Sequence, residues 1–512
     1  MRADSIEYSE DAYQSAVPLE DLQYTPRARM QPIFFAPAPL ISGMSWVMGG
    51  IPLLTDFSFV LLMIACTVFV VEEFFNFSRR FGLGGITLLF GVLVWFCYDY
   101  MTTWFMADFA QSVLPFPPLV IAKSACLHQL FIAFAVVGLH LPMWRWLERL
   151  CANLPEPRSH DLYVALIVIC FIVGLLPYIF FASDSLPVAL WKEITGGRGG
   201  GAGFTMGRTG NVNTNWGAYL AQLQQVGQIG ALLAIFYAIV LRPGFMVLIP
   251  CILIWLLQVG INFGGGARGQ TAFMVMPALF LLFLKYQSQA AQMFKRWSAK
   301  AYIVGGAVAM LILLLVQLQI SYRSIGFSDI HLDDVKTKIE GNSMFSEGLP
   351  GMALIPEQSP FFYNRLPGQG ALMAMPELAW RFAYGPIPRA LWPGKPIDPV
   401  WRWYNSVVTG RSEDELEGTT IATGLVGDFY FRFGMAGVIE GGILFGWLCV
   451  VGERVLQNSQ GRLMQLITSI GFLVFMFRSF RGMTFINLYP LLIGVVFLVI
   501  VIRITSGGQA RT

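Results

Sequence analysis

Arg381–Pro396 reads RFAYGPIPRALWPGKP, with the cations Arg389 and Lys395 set among prolines and aromatics. Gly424–Gly442 reads GLVGDFYFRFGMAGVIEGG, with Asp428, Tyr430 and Arg432 ahead of an apolar run that contains Glu440. Three more arginines stand among glycines: Arg198 and Arg208 in GGRGGGAGFTMGRTG, and Arg268 in the turn Gly264-Gly265-Gly266-Ala267-Arg268-Gly269. Arginine keeps its charge at any working pH and donates paired hydrogen bonds to phosphate oxygens. Glycines let backbone approach such a ligand closely. A carboxylate near apolar surroundings can have its pKa raised into the range of a general base. The residue types therefore point to phosphate binding by Arg268, Arg389, Arg198 and Arg208, with Lys395 as a point-charge helper, and to proton acceptance by Asp428. Each also has a structural reading: an interfacial anchor for Arg268, a salt bridge for Arg389, a lid for the glycine-rich loop, and an ion pair with Arg432 or a helix N-terminal acid for Asp428.

The elements that must position these residues are membrane helices. Of 512 residues 55% are hydrophobic and only 13% charged, and mean hydropathy is +0.60, whereas soluble domains carry roughly 25% charged residues. That composition excludes a soluble globular enzyme. The formal net charge of +3 argues against a nucleic-acid partner. Seven cysteines without CxxC spacing and four scattered histidines (His128, His140, His160, His331) suggest neither a disulfide framework nor a metal site. No GxxxxGK[ST] nucleotide loop is present, and no cofactor is expected.

Apolar runs fall near 33–53, 57–75, 83–103, 119–141, 162–182, 220–240, 246–262, 269–285, 301–320, 435–454, 463–477 and 484–503, each near the ~20 residues that span a bilayer. They predict an all-α, polytopic membrane protein with about 12 transmembrane helices. The first run is interrupted by Pro37, Pro39 and Pro52 and reads equally as a re-entrant or interfacial segment. The expected organisation is a polar, disordered cytoplasmic tail over 1–32, a first helix bundle over 33–320, a long extracytoplasmic loop over 321–434, and C-terminal membrane helices over 435–512. With both termini in the cytoplasm, the clusters Arg27/Arg29, Arg79/Arg80, Arg145/Arg149/Arg158, Arg242, Lys285/Lys295/Arg296/Lys300, Arg454/Arg462 and Arg503/Arg511 all face inward, as basic short loops do.

The block Ile387-Pro388-Arg389-Ala390-Leu391-Trp392-Pro393-Gly394-Lys395-Pro396, followed by Gly427-Asp428-x-Tyr430-x-x-Phe433-Gly434-x-x-Gly437, resembles the bacterial oligosaccharide repeat-unit polymerase family, which is related to O-antigen polymerases and ligases. Gly266-Ala267-Arg268-Gly269-Gln270, just before a span, resembles that family's arginine-glycine pair. Where the family often has glutamate and then asparagine, this chain has Asp428 and Arg432. The resemblance implies a glycosyltransferase of the bacterial inner membrane that joins polyprenyl-diphosphate-linked oligosaccharides at the extracytoplasmic face, with polyprenyl diphosphate as leaving group. Its implied catalytic residues are Asp428, Arg268 and Arg389, with Arg198, Arg208, Lys395 and Glu440 contacting diphosphate or substrate. Its implied partners are the lipid-linked oligosaccharide, the bilayer, a chain-length regulator and other polysaccharide assembly proteins. A ligase of the same superfamily and a polysaccharide or lipid-carrier transporter are the alternatives.

Other residues carry weaker readings. Gln222, Gln224, Gln225 and Gln228 share one span, where they line an interior, join helices or contact substrate. Gly442 and Gly446 predict close helix contact. Trp392, Trp401, Trp403 and Tyr404 suit sugar faces or the membrane interface. Asp99 and Asp108 read as boundary residues, and Arg478 and Arg481 as edge anchors. His331, the sole outside histidine, is the other candidate base, because related ligases are thought to use one.

Overall fold

The computed structural model describes residues 31–76, 82–97, 118–144, 154–157, 159–181, 184–195, 215–264, 271–282, 424–459, 462–480 and 488–507, with a few isolated positions that include Lys285 and Trp392. The described elements are all helical. A 3-10 turn, Pro32–Phe35, leads into α1 (Pro37–Val47), followed by α2 (Pro52–Asn76), α3 (Gly82–Val92, continued by a π-helical turn, Leu93–Cys97) and α4 (Pro118–Leu139). Next come α5 (His160–Phe181), α6 (Leu186–Thr195), α7 (Asn215–Leu241) and α8 (Phe245–Gly264), then α9 (Thr271–Leu282). The chain closes with α10 (Leu425–Gln457), α11 (Leu463–Ser479) and α12 (Tyr489–Gly507).

Among the described residues six helices are long and apolar enough to cross a membrane: Pro52–Val70, Ile121–Leu139, His160–Phe180, Leu223–Leu241, Phe245–Gly264 and Phe433–Gln457. Five shorter apolar helices accompany them. Their apolar residues face outward as well as inward. Only 22% of the Phe245–Gly264 window is buried, and Met246, Leu253 and Leu256 stand on its open face. A helix apolar all round is suited to lipid rather than water.

The prolines of the first apolar run start helices rather than break one. Pro37 opens α1 and Pro52 opens α2, positions where the missing N–H has no partner to lose. Between them Gly49 and Gly50 take φ of 90° and 89°, and a side chain on Gly50 would overlap the backbone of Leu119 at the start of α4. The single expected segment 33–53 is thus a short helix and a tight turn.

Glycines set the register of the bundle. A methyl group on Gly442 would overlap the carbonyl of Phe131, and one on Gly446 that of Ala135, so α4 and α10 run parallel at backbone contact. Gly84 meets the Cys449 carbonyl, which places α3 antiparallel to α10. On the other flank α5 and α7 cross at Gly174 and Gly227 and meet again through Tyr163 and Tyr237. Gly494 of α12 lies on Ile229 of α7, and Leu491 on Gly471 of α11. The bundle has two ends, one holding Gly50, Pro118, Gly434 and Phe480, the other Gly82, Glu156, Glu453 and Arg462.

Candidate functional site

At the second end two buried carboxylates, Glu453 and Glu156, cap helix starts. Glu453, 7% exposed, accepts the Gly84 N–H at 2.8 Å and the Gln457 amide at 3.2 Å. Glu156 accepts the N–H groups of Leu463 at 2.7 Å and Met464 at 3.2 Å, the opening residues of α11, and the Tyr163 hydroxyl. Burial pushes the Glu156 carboxyl above its ordinary value, and the Tyr163 hydroxyl, the Met464 and Leu463 amides and Arg462 oppose that rise. Both acids satisfy orphan donors of a helix start.

The Gly434 end is built differently. Helix α10 breaks at Gly434, whose φ of 66° and ψ of −154° belong to a region open almost only to glycine. The arm 425–433 folds back on the arm 435–457: the Phe429 ring packs on Gly441 and its carbonyl on Gly437. Phe131 of α4 lies 5.9 Å from Phe429, ring to ring. The start of the short arm is tied to α11 by the Leu425 N–H, which donates to the Phe480 carbonyl at 3.0 Å. Asp428 does not cap the top of a straight span, as its motif suggests; the arm carrying it dips back level with Gly437 and Gly441. Asp428 and Glu440 therefore stand on facing arms. Residues 425–433, expected within the long loop, are helical.

A residue that the sequence reading passed over completes this end. Lys123, in the second turn of α4, is only 8% exposed, and its ammonium lies 5.6 Å from the Trp46 ring and 5.8 Å from the Tyr430 ring. Among the described residues it has no ion pair; two aromatic faces supply its stabilisation. A lone lysine inside an apolar run was the available signal. Below it His128, 2% exposed, hydrogen-bonds the Ser124 carbonyl at 2.8 Å and meets Phe96 edge-on, the setting of a core histidine. Glu440 buries its Oε2 atom without a hydrogen-bond partner among the described residues, and Arg478, on the last turn of α11, buries its Nη1 atom.

Of the expected site residues, Asp428 and Glu440 are brought to one end of the bundle together with Tyr430. Arg198, Arg208, Arg268, Arg389 and Lys395 lie outside the described residues, as do His331, Asp99, Asp108, Arg481 and the run 301–320. No family model, curated protein or solved structure matches this chain. In an apolar bundle, a half-buried carboxylate can take a proton and an ammonium held by aromatic rings can receive an anion.

Proposed function

We propose that the chain is a glycosyltransferase of the bacterial inner membrane that polymerises polyprenyl-diphosphate-linked oligosaccharide repeat units into a surface polysaccharide. In this reading twelve spans cross the bilayer, both termini are cytoplasmic, the Gly434 end faces outward, and the loop over 321–434 covers it. Arg242, Arg454 and Arg462 stand at the opposite end, in keeping with the cytoplasmic bias of basic loops. The observation that carries the proposal is the reversal at Gly434, which packs the Asp428 arm against a span while Tyr430 flanks the buried Lys123.

The acceptor hydroxyl attacks the anomeric carbon of the donor glycan. The bond from that carbon to the diphosphate oxygen breaks, the electron pair leaves with polyprenyl diphosphate, and the hydroxyl proton passes to Asp428. Lys123, Arg268 and Arg389 balance the charge that develops on the leaving diphosphate, while Arg198, Arg208 and Lys395 hold it and Glu440 contacts the glycan. Trp46 and Tyr430 keep Lys123 in place without neutralising it, which leaves its charge for an incoming anion. A chain-length regulator and other assembly proteins are the partners of this activity.

The test is reconstitution of the purified protein in liposomes with polyprenyl-diphosphate repeat units and no nucleotide sugar, reading product size on a gel. A ladder lost in Arg268→Ala, Arg389→Ala and Asp428→Asn supports the reading. Full-length polymer from those variants at normal protein levels would sink the site assignment. Single units that join only to an added acceptor would identify a ligase, and movement of the lipid-linked units without new bonds a transporter.

A further inference from the structure

A second polar cluster lies away from Asp428, where α5, α6, α7 and α8 meet towards the Gly434 end of the bundle. Gln228, Gln258 and Asn262 are 1%, 6% and 3% exposed. The Gln228 amide donates to Asn262 Oδ1 at 3.2 Å, which leaves Gln228 Oε1, Asn262 Nδ2 and Gln258 Nε2 buried with no hydrogen-bond partner among the described residues. Tyr178, 2% exposed, accepts a hydrogen bond from Gln224 at 2.6 Å, and Glu193, 5% exposed, lies close enough to Tyr178 to interact with it electrostatically. Glycines draw these groups together. Gly174 and Gly227 let α5 and α7 touch, the Gln258 side chain reaches the Gly227 position, and Gly264 admits the Glu193 carbonyl of α6.

The buried amide of Gln129 shows the satisfied case. Gln129, 0% exposed, accepts from Ser42 at 2.7 Å and donates to Ser58 at 2.8 Å. Buried polar groups without partners are costly, and more so in a membrane interior. A ligand that meets Gln228, Gln258 and Asn262 must offer donors and acceptors side by side. Hydroxyl groups do both with the same atom, and a carboxylate such as Glu193 accepts from neighbouring hydroxyls. Among the described residues no lysine or arginine stands with these side chains, and the amides themselves match hydroxyls rather than the charge of a phosphate.

We propose that this cluster is a saccharide subsite, which binds a neutral, hydroxyl-rich sugar ring of the glycan through Gln228, Gln258, Asn262, Tyr178 and Glu193. The inference rests on the polymerase reading for the origin of the sugar, and on the unmet amide atoms for the site. It assigns glycan recognition to a part of the bundle distinct from the Asp428 arm.

The test uses the full chain in a non-glycosidic detergent and measures the shift in melting temperature with a panel of neutral di- and trisaccharides, with inorganic diphosphate and with sodium chloride. Gln258→Met and Asn262→Leu keep side-chain volume and remove the unmet atoms. The expected result is a saturable stabilisation by one group of saccharides that weakens at least tenfold in both variants, while diphosphate binding is unchanged. The unliganded Gln258→Met variant melts at or above the parent temperature, because it removes the unpaired Nε2 atom, whereas Asn262→Leu also takes the acceptor from the Gln228 amide and melts lower. Saccharide binding that survives both substitutions, no stabilisation by any saccharide, or stabilisation by sodium alone overturns the proposal. Saccharide binding lost in the variants, with no ladder from the parent in liposomes, would keep the subsite and reject the polymerase.

Discussion

Phe429 rests on Gly441, a residue further along the same helix that a straight rod would hold far away; the reversal at Gly434 brings them together. Alanine at position 434 must adopt a backbone conformation that costs on the order of 1–3 kcal/mol, and alanine at 441 meets the Phe429 ring. Gly434→Ala and Gly441→Ala should each reduce the polymer ladder at least tenfold in liposomes while the protein still enters the membrane. Wild-type ladders from both would show that the folded-back arm is not needed for activity.

Lys123→Met removes the buried charge and keeps much of the stem. Loss of one charge-stabilising donor typically costs about 10²–10³ in rate, so polymerisation should fall by about that factor. Lys123→Arg should recover part of it. Melting temperature should not fall in Lys123→Met, since no ion pair of Lys123 is broken among the described residues; a large drop would reassign Lys123 to packing.

Gly446→Val places a branched side chain on the Ala135 carbonyl, where backbone rather than a flexible tip blocks it. Overpacking of this kind costs typically about 1–3 kcal/mol, and here α4 and α10 would have to separate. The monodisperse fraction in size-exclusion chromatography should fall, and more steeply than for valine at Gly244, which has open space around it.

Glu156 predicts a pH dependence of stability. Its carboxyl is raised in the fold, chiefly by burial, so the folded state binds the proton more readily than the unfolded state. The stabilisation from protonation is complete below the ordinary value of 4.5 and declines as pH climbs through the raised value. Melting temperature in detergent should fall over that window, and Glu156→Gln should flatten the fall. Glu156→Ala should flatten the fall as well, and at low pH should cost about 1 kcal/mol through the lost cap on α11.

Much of the helical content was legible from one-dimensional information. Composition excluded a soluble enzyme because lipid, unlike water, demands long apolar runs with their backbone bonds made internally, and described helices fall within eleven of the twelve runs. Gly442 and Gly446 announced a close helix contact, because small residues at helical spacing let two backbones approach. The motif marked Asp428 and Tyr430, and the glutamines of α7 stood out as polar groups in an apolar run.

Spatial company was decided only by the tertiary structure. Lys123 reads in sequence as one cation in a span, and its meaning depends on Trp46 and Tyr430, which reach it from two other helices. Gln258 and Asn262 lie on a different helix from Gln228, and only the glycine-mediated crossing of α5, α7 and α8 gathers them. The reversal at Gly434 was hidden for a related reason. Glycine in an apolar run permits either a straight helix or a fold-back, and the choice is made by Phe131, Gly437 and Gly441 packing around Phe429. Sequence determined which runs are apolar enough for a bilayer, because that follows from local polarity; packing determined which of their residues meet, because that depends on contacts between segments far apart in the chain.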